Sequence, residues 1–137
     1  MSNLGLGVMI SMLRGNEDSV AAYTGSIGKI IKNVSLGQDD ALHFIFDDGT
    51  KIKFEDDGQS CCESRYMRTD DYLETFVGAK FIGAEIKEAP SIKDNEYGGC
   101  HDVQFLEIQT DRGVFTMASH NEHNGYYGGF SIRVSIE

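Results

Sequence analysis

The sequence predicts an α+β fold, a single compact domain that is mainly antiparallel β-sheet with one or two short helices. Several short segments alternate apolar and polar residues, Asp-Gly pairs follow some of them, and one helix-like segment lies near the middle of the chain. The length of 137 residues is that of one domain. The 16 glycines, 8 phenylalanines and 6 tyrosines, with only one proline, favour strands joined by tight turns.

Two regions are predicted along the chain. Residues 1–26 are expected to form an N-terminal arm or a short helix that packs on the core or on a partner subunit. The polar stretch Asn16 to Ser19 could cap a helix that continues to Tyr23. Residues 27–137 are expected to form the β-rich, ligand-binding domain.

An antiparallel meander of three strands is predicted at the start of this domain. The segment from Ile27 to Leu36 is apolar and β-branched, and the segment from Leu42 to Phe46 alternates in polarity. Asp48-Gly49 is a hairpin turn signal, and Ile52 and Phe54 alternate with lysines on the return strand.

The middle of the chain, residues 57–77, breaks the alternating pattern. The segment from Cys61 to Met67 fits either a short helical turn or an irregular strand. Thr69 has the character of a helix N-cap with acidic residues in the first turn, and Gly78 suits the C′ position. A helix is therefore predicted between these two residues.

A second β-rich half is predicted to follow. The segment 79–87 is expected to be a strand with Ile82, Ala84 and Ile86 on one side, and 88–99 a polar loop. Residues 103–110 and 114–119 are expected to form a hairpin, and 130–136 alternates as a half-buried strand does.

The charge of the chain limits its partners. Lys and Arg total 12 against 22 Asp and Glu, so the formal net charge is −10. Binding to DNA or RNA polymers or to an anionic membrane surface needs many cations and is not expected. A small anionic ligand needs only two or three well-placed cations. Three cysteines, two of them adjacent, favour a reduced, cytoplasmic protein over a disulfide scaffold.

The densest polar segment runs from His120 to Phe130. Its tyrosines, histidines and amides suit stacking and hydrogen bonding to a ligand, and its glycines allow the chain to fold back. A rigid turn whose polar groups satisfy one another is the alternative. A metal site on His120 and His123 is disfavoured, because residues three apart on a strand face opposite ways.

The segment from Cys61 to Met67 leaves two further alternatives open. Cys61 or Cys62 could act as a nucleophile with His120 or His123 as the base, although paired cysteines in reduced proteins are more often buried apolar residues. Arg65 and Arg68 could hold a phosphate through their guanidinium groups. The Asp-Asp pairs of the chain are explained by turns and a helix start.

Three motifs together resemble a phage and prophage family with a Q-x-C-C-E core, which includes the Thoeris anti-defence protein 1 sponges. The similarity extends from about Ile27 to Ile136, and the motifs are Gly58-Gln-Ser-Cys-Cys-Glu-Ser-Arg-Tyr-Met67, Thr69-Asp-Asp71 and His120-Asn-Glu-His-Asn-Gly-Tyr-Tyr-Gly-Gly-Phe130.

The resemblance implies a non-enzymatic protein of the bacterial cytoplasm that sequesters cyclic ADP-ribose isomers without cleaving them. It also implies cyclic di- or trinucleotides as ligands at a second site, and a homodimer that assembles into a hexamer. No cofactor or metal is implied. The alternatives are a Cys/His-dependent hydrolase or phosphodiesterase, or a phage interaction module with no small ligand.

Such a ligand needs an aromatic shelf for its base, amides or carboxylates for its hydroxyls and cations for its phosphates. The side chains of this chain that offer these groups are Lys29, Arg65, Tyr66, Arg68, Phe81, Asn95, Arg112, His120, Asn121, His123, Asn124, Tyr126 and Tyr127.

Overall fold

A computed structural model describes residues 17–56, 63–88, 92–94, 99–123, 130 and 132–137. These residues form one α-helix, one 3₁₀ turn at Leu73–Phe76 and nine strands. The helix and strands are α1 Glu17–Ser26, β1 Ile31–Leu36, β2 Leu42–Phe46, β3 Lys51–Asp56, β4 Glu63–Arg68, β5 Phe81–Glu88, β6 Ile92–Asp94, β7 Gly99–Thr110, β8 Gly113–His123 and β9 Ile132–Ile136.

The strands form two antiparallel sheets. The first has the order β1-β2-β3-β9, and the second has the order β4-β8-β7-β5, with β6 also paired to β7. The chain passes from the first sheet to the second between β3 and β4, and returns between β8 and β9. The predicted fold class, mainly antiparallel sheet with short helices, is confirmed.

The predicted meander is confirmed in the first sheet. Phe44 of β2 faces Ile52 of β3 in the register that the Asp48-Gly49 turn sets. Asp48 accepts a hydrogen bond from the Thr50 amide at 2.9 Å. Gly49 has a φ of 89°, a conformation that glycine adopts without steric cost.

Aromatic side chains fill the space between the sheets. Phe44 and Phe54 of the first sheet pack on Phe81 and Phe115 of the second, with ring centroids 5.5 to 6.3 Å apart. All four are fully buried. This interleaving stabilises the contact between sheets, since each ring removes a large apolar area from water.

Helix α1 closes one side of this core. Its Tyr23 is fully buried, and the hydroxyl accepts the Ala84 amide of β5 at 2.9 Å. Its Ser19 hydroxyl accepts the Val134 amide of β9 at 3.3 Å. The helix therefore binds both sheets through the same face. Residues 1–16, which the arm prediction includes, lie outside the described residues.

The helix predicted after Thr69 is wrong. Only a 3₁₀ turn forms, at Leu73–Phe76, and Tyr72 is exposed. The Thr69 hydroxyl accepts the Asp71 amide at 3.0 Å, as in a short polar turn, and donates to the Thr116 carbonyl at 2.8 Å. These side chains are engaged by β8, so the acidic pair does not start a helix. Gly78 still has a positive φ of 91°.

Of the two structures predicted for the segment from Cys61 to Met67, the strand forms, and it pairs with β8 without a register shift from Glu63 onward. Two other expectations need correction. The predicted polar loop 88–99 contains β6, which pairs with the start of β7. A register shift between Phe81 and Gly83 turns Ile82 outward, 46 % exposed, away from the side that buries Ala84.

Candidate functional site

The candidate site lies on the outer face of the second sheet. In the register, Tyr66 of β4 faces His120 of β8, which faces Val103 of β7. Alternate residues of a strand point to opposite faces. Met67 is fully buried on the inner face. The side chains that flank it, Tyr66 and Arg68, are therefore on the outer face.

A groove of about 480 Å³ runs along this face. Its volume is within the usual range for small-molecule sites. It is lined by Arg68, Thr69, Asp70, Asp71, Val103, Phe105, Thr116, Ala118 and His120. Apolar side chains form its floor, and charged side chains stand along one edge.

A stack of three side chains forms one end of the groove. The rings of Tyr66 and His120 are nearly parallel, at 12°, with centroids 4.8 Å apart. The Arg68 guanidinium lies over the Tyr66 ring, 4.9 Å from its centroid. Arg68 also donates to the Asp40 carboxylate at 2.6 Å. The arrangement presents aromatic surface and one exposed cation together.

The Tyr66 phenol is held by a carboxylate of the neighbouring strand. Its hydroxyl donates to Glu122. This hydrogen bond, with burial and the charge of Glu122 as smaller causes, raises the pKa of Tyr66 to about 12. The phenol is therefore neutral at physiological pH, which keeps its ring available for stacking rather than for nucleophilic attack.

Two histidines meet beside the stack. Nε2 of His101 lies 2.8 Å from Nδ1 of His120, and their ring centroids are 5.0 Å apart. Burial lowers the pKa of His120, and the neighbouring His101 lowers it further. The His120 ring is thus neutral at pH 7, with one nitrogen of the pair donating and the other accepting.

A short segment after β4 forms the charged edge. The Asp71 carboxylate accepts the Thr116 amide at 2.7 Å, and Thr69 donates to the Thr116 carbonyl. These two side chains continue the pairing of β8 beyond the last residue of β4. Asp70, between them, is exposed and lines the groove.

Of the thirteen side chains predicted from the sequence, the structure brings three together here: Tyr66, Arg68 and His120. Lys29 lies elsewhere, 3.1 Å from the Asp48 carboxylate. Arg112 is in the β7–β8 turn and donates to the Val77 carbonyl at 3.2 Å. Neither contacts the groove lining.

Three predicted side chains are inside the molecule. Phe81 and Asn121 are fully buried. The Arg65 guanidinium donates to Asp56 at 2.7 Å, and their side chains are only 7 % and 4 % exposed. These groups support the fold between the sheets rather than offering surface to a ligand. Asn95, Asn124, Tyr126, Tyr127, the side chain of His123, and both Cys61 and Cys62 lie outside the described part.

Sequence reasoning missed His101, Phe105 and Glu122 as members of the site. Phe105 and Glu122 directly follow the buried residues Gln104 and Asn121, so strand alternation places them on the outer face. His101 and Glu122 were missed because β7 was predicted to begin at Val103 and β8 to end at Ser119, whereas the strands extend to Gly99 and His123. The two strands then extend as far as the histidine pair.

Within the described ranges, no three His, Cys, Asp or Glu side chains are grouped to hold a metal ion. Among the same residues, no helix has the length and apolar character needed to cross a membrane.

The groove lies in an antiparallel β-sheet domain that matches one protein family. The chain belongs to DUF7448, a family described as a domain of unknown function, which matches residues 24–132. The matched range extends from α1 to β9 and includes every side chain of the groove. Neither a curated protein nor a solved structure matches the chain.

Proposed function

We propose that this protein binds a cyclic nucleotide immune signal, of the cyclic ADP-ribose class, and sequesters it without cleaving it in the cytoplasm of a phage-infected bacterium. The observation that carries the proposal is the Tyr66–His120 stack beneath the Arg68 guanidinium at the end of the groove. Aromatic surface beside an exposed guanidinium suits a purine linked to a phosphate.

The rest of the groove supports the same ligand class. Val103 and Phe105 provide an apolar floor on which a base can lie, and Phe105 is 36 % exposed. Asp70 offers a carboxylate that can accept hydrogen bonds from ribose hydroxyls. The net charge of −10 disfavours long nucleic acids and so favours a small ligand with only two phosphates.

The state of the site favours holding the ligand over cutting it. The Tyr66 phenol is kept neutral by Glu122, and Nδ1 of His120 is engaged by His101. With its pKa raised to about 12, the Tyr66 phenol is not an activated nucleophile at physiological pH. A hydrolase would reveal itself by converting more than one equivalent of ligand.

A homo-oligomer, a dimer that assembles into a hexamer, is part of the proposal. Phe105 and Val114 expose 36 % and 48 % of their surface on the outer face. A second subunit on this face would enclose a ligand that an open groove leaves half solvated. Nanomolar sequestration corresponds to about −12 kcal/mol, which an enclosed ligand reaches more readily. Cyclic di- or trinucleotides are the candidates for a second site.

The test is ligand capture followed by release. The purified protein is incubated with each cyclic ADP-ribose isomer, passed through a desalting column and heat-denatured, and the released compound is identified by mass spectrometry. The proposal expects stoichiometric recovery of intact ligand. Recovery of a cleaved product would establish the hydrolase alternative, and no recovery of any isomer would refute the proposal.

Matched variants locate the site. Arg68→Gln removes the exposed cation of the stack and is expected to weaken binding at least tenfold, about 1.4 kcal/mol, since hydrogen bonds to charged groups are worth that much or more. Lys29→Gln removes a cation paired to Asp48 away from the groove and is expected to leave affinity unchanged. Equal effects of the two substitutions would contradict this placement.

A further inference from the structure

The two histidines beside the stack are joined by a hydrogen bond, so one of the two facing nitrogens carries a hydrogen and the other does not. Nε2 of His101 and Nδ1 of His120 are 2.8 Å apart, a normal hydrogen-bond distance. With both rings neutral, one nitrogen donates and the other accepts. Protonation of one outer nitrogen keeps this hydrogen bond and gives it a full positive charge, which strengthens it.

The charges around the pair decide what it attracts. Arg68 faces it from β4 and disfavours its protonation, whereas Glu122 of β8 favours it. The Tyr66 ring, which is stacked on His120 and lies under the Arg68 guanidinium, is neutral. Asp70 and Asp71 line the groove from the segment after β4. Burial, with smaller contributions from His101 and Arg68, lowers the pKa of His120 and keeps its ring neutral at pH 7.

An anion in the groove would change this balance. A phosphate in the groove, which Arg68 and His120 both line, would favour a positive charge on the pair, because an opposite charge within a few ångströms stabilises the ionised imidazole. Binding and protonation of the pair would then strengthen each other equally, as thermodynamic linkage requires.

We propose that the His101–His120 pair is a pyrophosphate subsite of the groove, which binds its anion together with one proton. This inference rests on the proposed function, and it adds the ligand group recognised there and a dependence of affinity on pH. His101, which sequence reasoning did not select, becomes a binding residue through its contact with His120.

The experiment is calorimetric titration with ADP-ribose, whose base, riboses and pyrophosphate diester do not titrate between about pH 5.5 and pH 8. Titrations in buffers of different ionisation enthalpy measure the protons taken up on binding. The expected result is uptake that approaches one proton per ligand near pH 7. Affinity is expected to rise by up to tenfold for each pH unit lowered towards pH 6.

Two variants identify the group that takes up the proton. His101→Gln retains a polar side chain that does not titrate, and it is expected to reduce the uptake to less than half and flatten the pH dependence. His43→Gln is the control, because His43 is a paired histidine of the first sheet, bound to Glu137 and Asp39. It is expected to leave the uptake unchanged.

The failures are distinguishable. Binding that takes up no proton, or an uptake unaffected by His101→Gln, overturns the subsite and leaves the proposed function standing. ADP-ribose that does not bind at any pH also overturns the subsite. The proposed function itself depends on the capture and release of the cyclic isomers.

Discussion

Two Arg–Asp pairs have nearly equal N–O distances and differ strongly in burial, and this difference makes a sharp prediction. Arg65 donates to Asp56 at 2.7 Å, with side chains 7 % and 4 % exposed. Arg68 donates to Asp40 at 2.6 Å, with side chains 56 % and 41 % exposed. Breaking a buried pair leaves an uncompensated charge, whereas an exposed pair loses little to water.

Asp56→Asn is therefore expected to lower the free energy of unfolding by about 3–5 kcal/mol. Asp40→Asn is expected to lower it by less than about 1 kcal/mol. Asparagine keeps the shape of both sites and tolerates the positive φ of 60° at residue 40. The larger loss corresponds to a fall in melting temperature of roughly 10–15 °C for a domain of this size.

Urea denaturation followed by circular dichroism measures both variants. The slope with urea should be the same in each, so that midpoints compare directly. The double variant Arg65→Met with Asp56→Leu removes both charges and is expected to recover at least half of the loss. Equal, small losses in Asp56→Asn and Asp40→Asn would refute the argument from burial.

Three further predictions concern the core, pH and the groove. Phe81→Ala is expected to cost about 3–5 kcal/mol in urea unfolding, because the ring is fully buried; a loss under 1 kcal/mol would contradict a core role. Burial lowers the pKa of His43, but its hydrogen bonds to Asp39 and Glu137 outweigh burial and raise it above 6.5. The stability that this contact contributes is complete below pH 6.5 and is lost as pH rises through the pKa of His43 in the folded protein. His43→Gln should abolish this dependence of the unfolding free energy on pH, and a dependence that persists in the variant would refute the prediction. Asp40→Asn frees the Arg68 guanidinium from its carboxylate partner and should tighten ADP-ribose binding by about two- to fivefold, as measured by calorimetry. Weaker binding would instead show that Asp40 positions Arg68.

The strands were predictable where their pattern is local. The alternation of β2 and β3 around Asp48-Gly49 contains the whole signal for that hairpin, since turn and register are neighbours in sequence. The helix after Thr69 failed for the opposite reason. Its signal is local, but the partner that claims Thr69 and Asp71 is the Thr116 backbone, 45 or more residues away.

The site residues divide in the same way. Residue chemistry and motif membership selected Tyr66, Arg68 and His120, and residue chemistry also selected Phe81, which is aromatic but faces the core. Whether a side chain faces out depends on strand parity and on bulges such as the one at Phe81. His101 became visible only through the pairing of β7 with β8, which places it next to His120.

Two polar segments far apart in the sequence are brought together where β4 pairs with β8. The chain passes from the first sheet to the second before β4 and returns to the first sheet after β8. Asp56 pairs with Ile132 in the first sheet, and Glu63 pairs with His123 in the second. Both crossings therefore leave and enter the sheets at the same end.

That end is also where the groove meets the histidine pair, since Tyr66 faces His120 only three residues from the β4 and β8 ends. At the same end, the buried Arg65–Asp56 ion pair connects β4 of the second sheet to β3 of the first. An ion pair that fixes the sheets at this end also fixes the positions of Tyr66 and Arg68, which follow Arg65 in β4. Ligand affinity and the stability measured in Asp56→Asn should therefore decline together, whereas Lys29→Gln should leave ligand affinity unchanged.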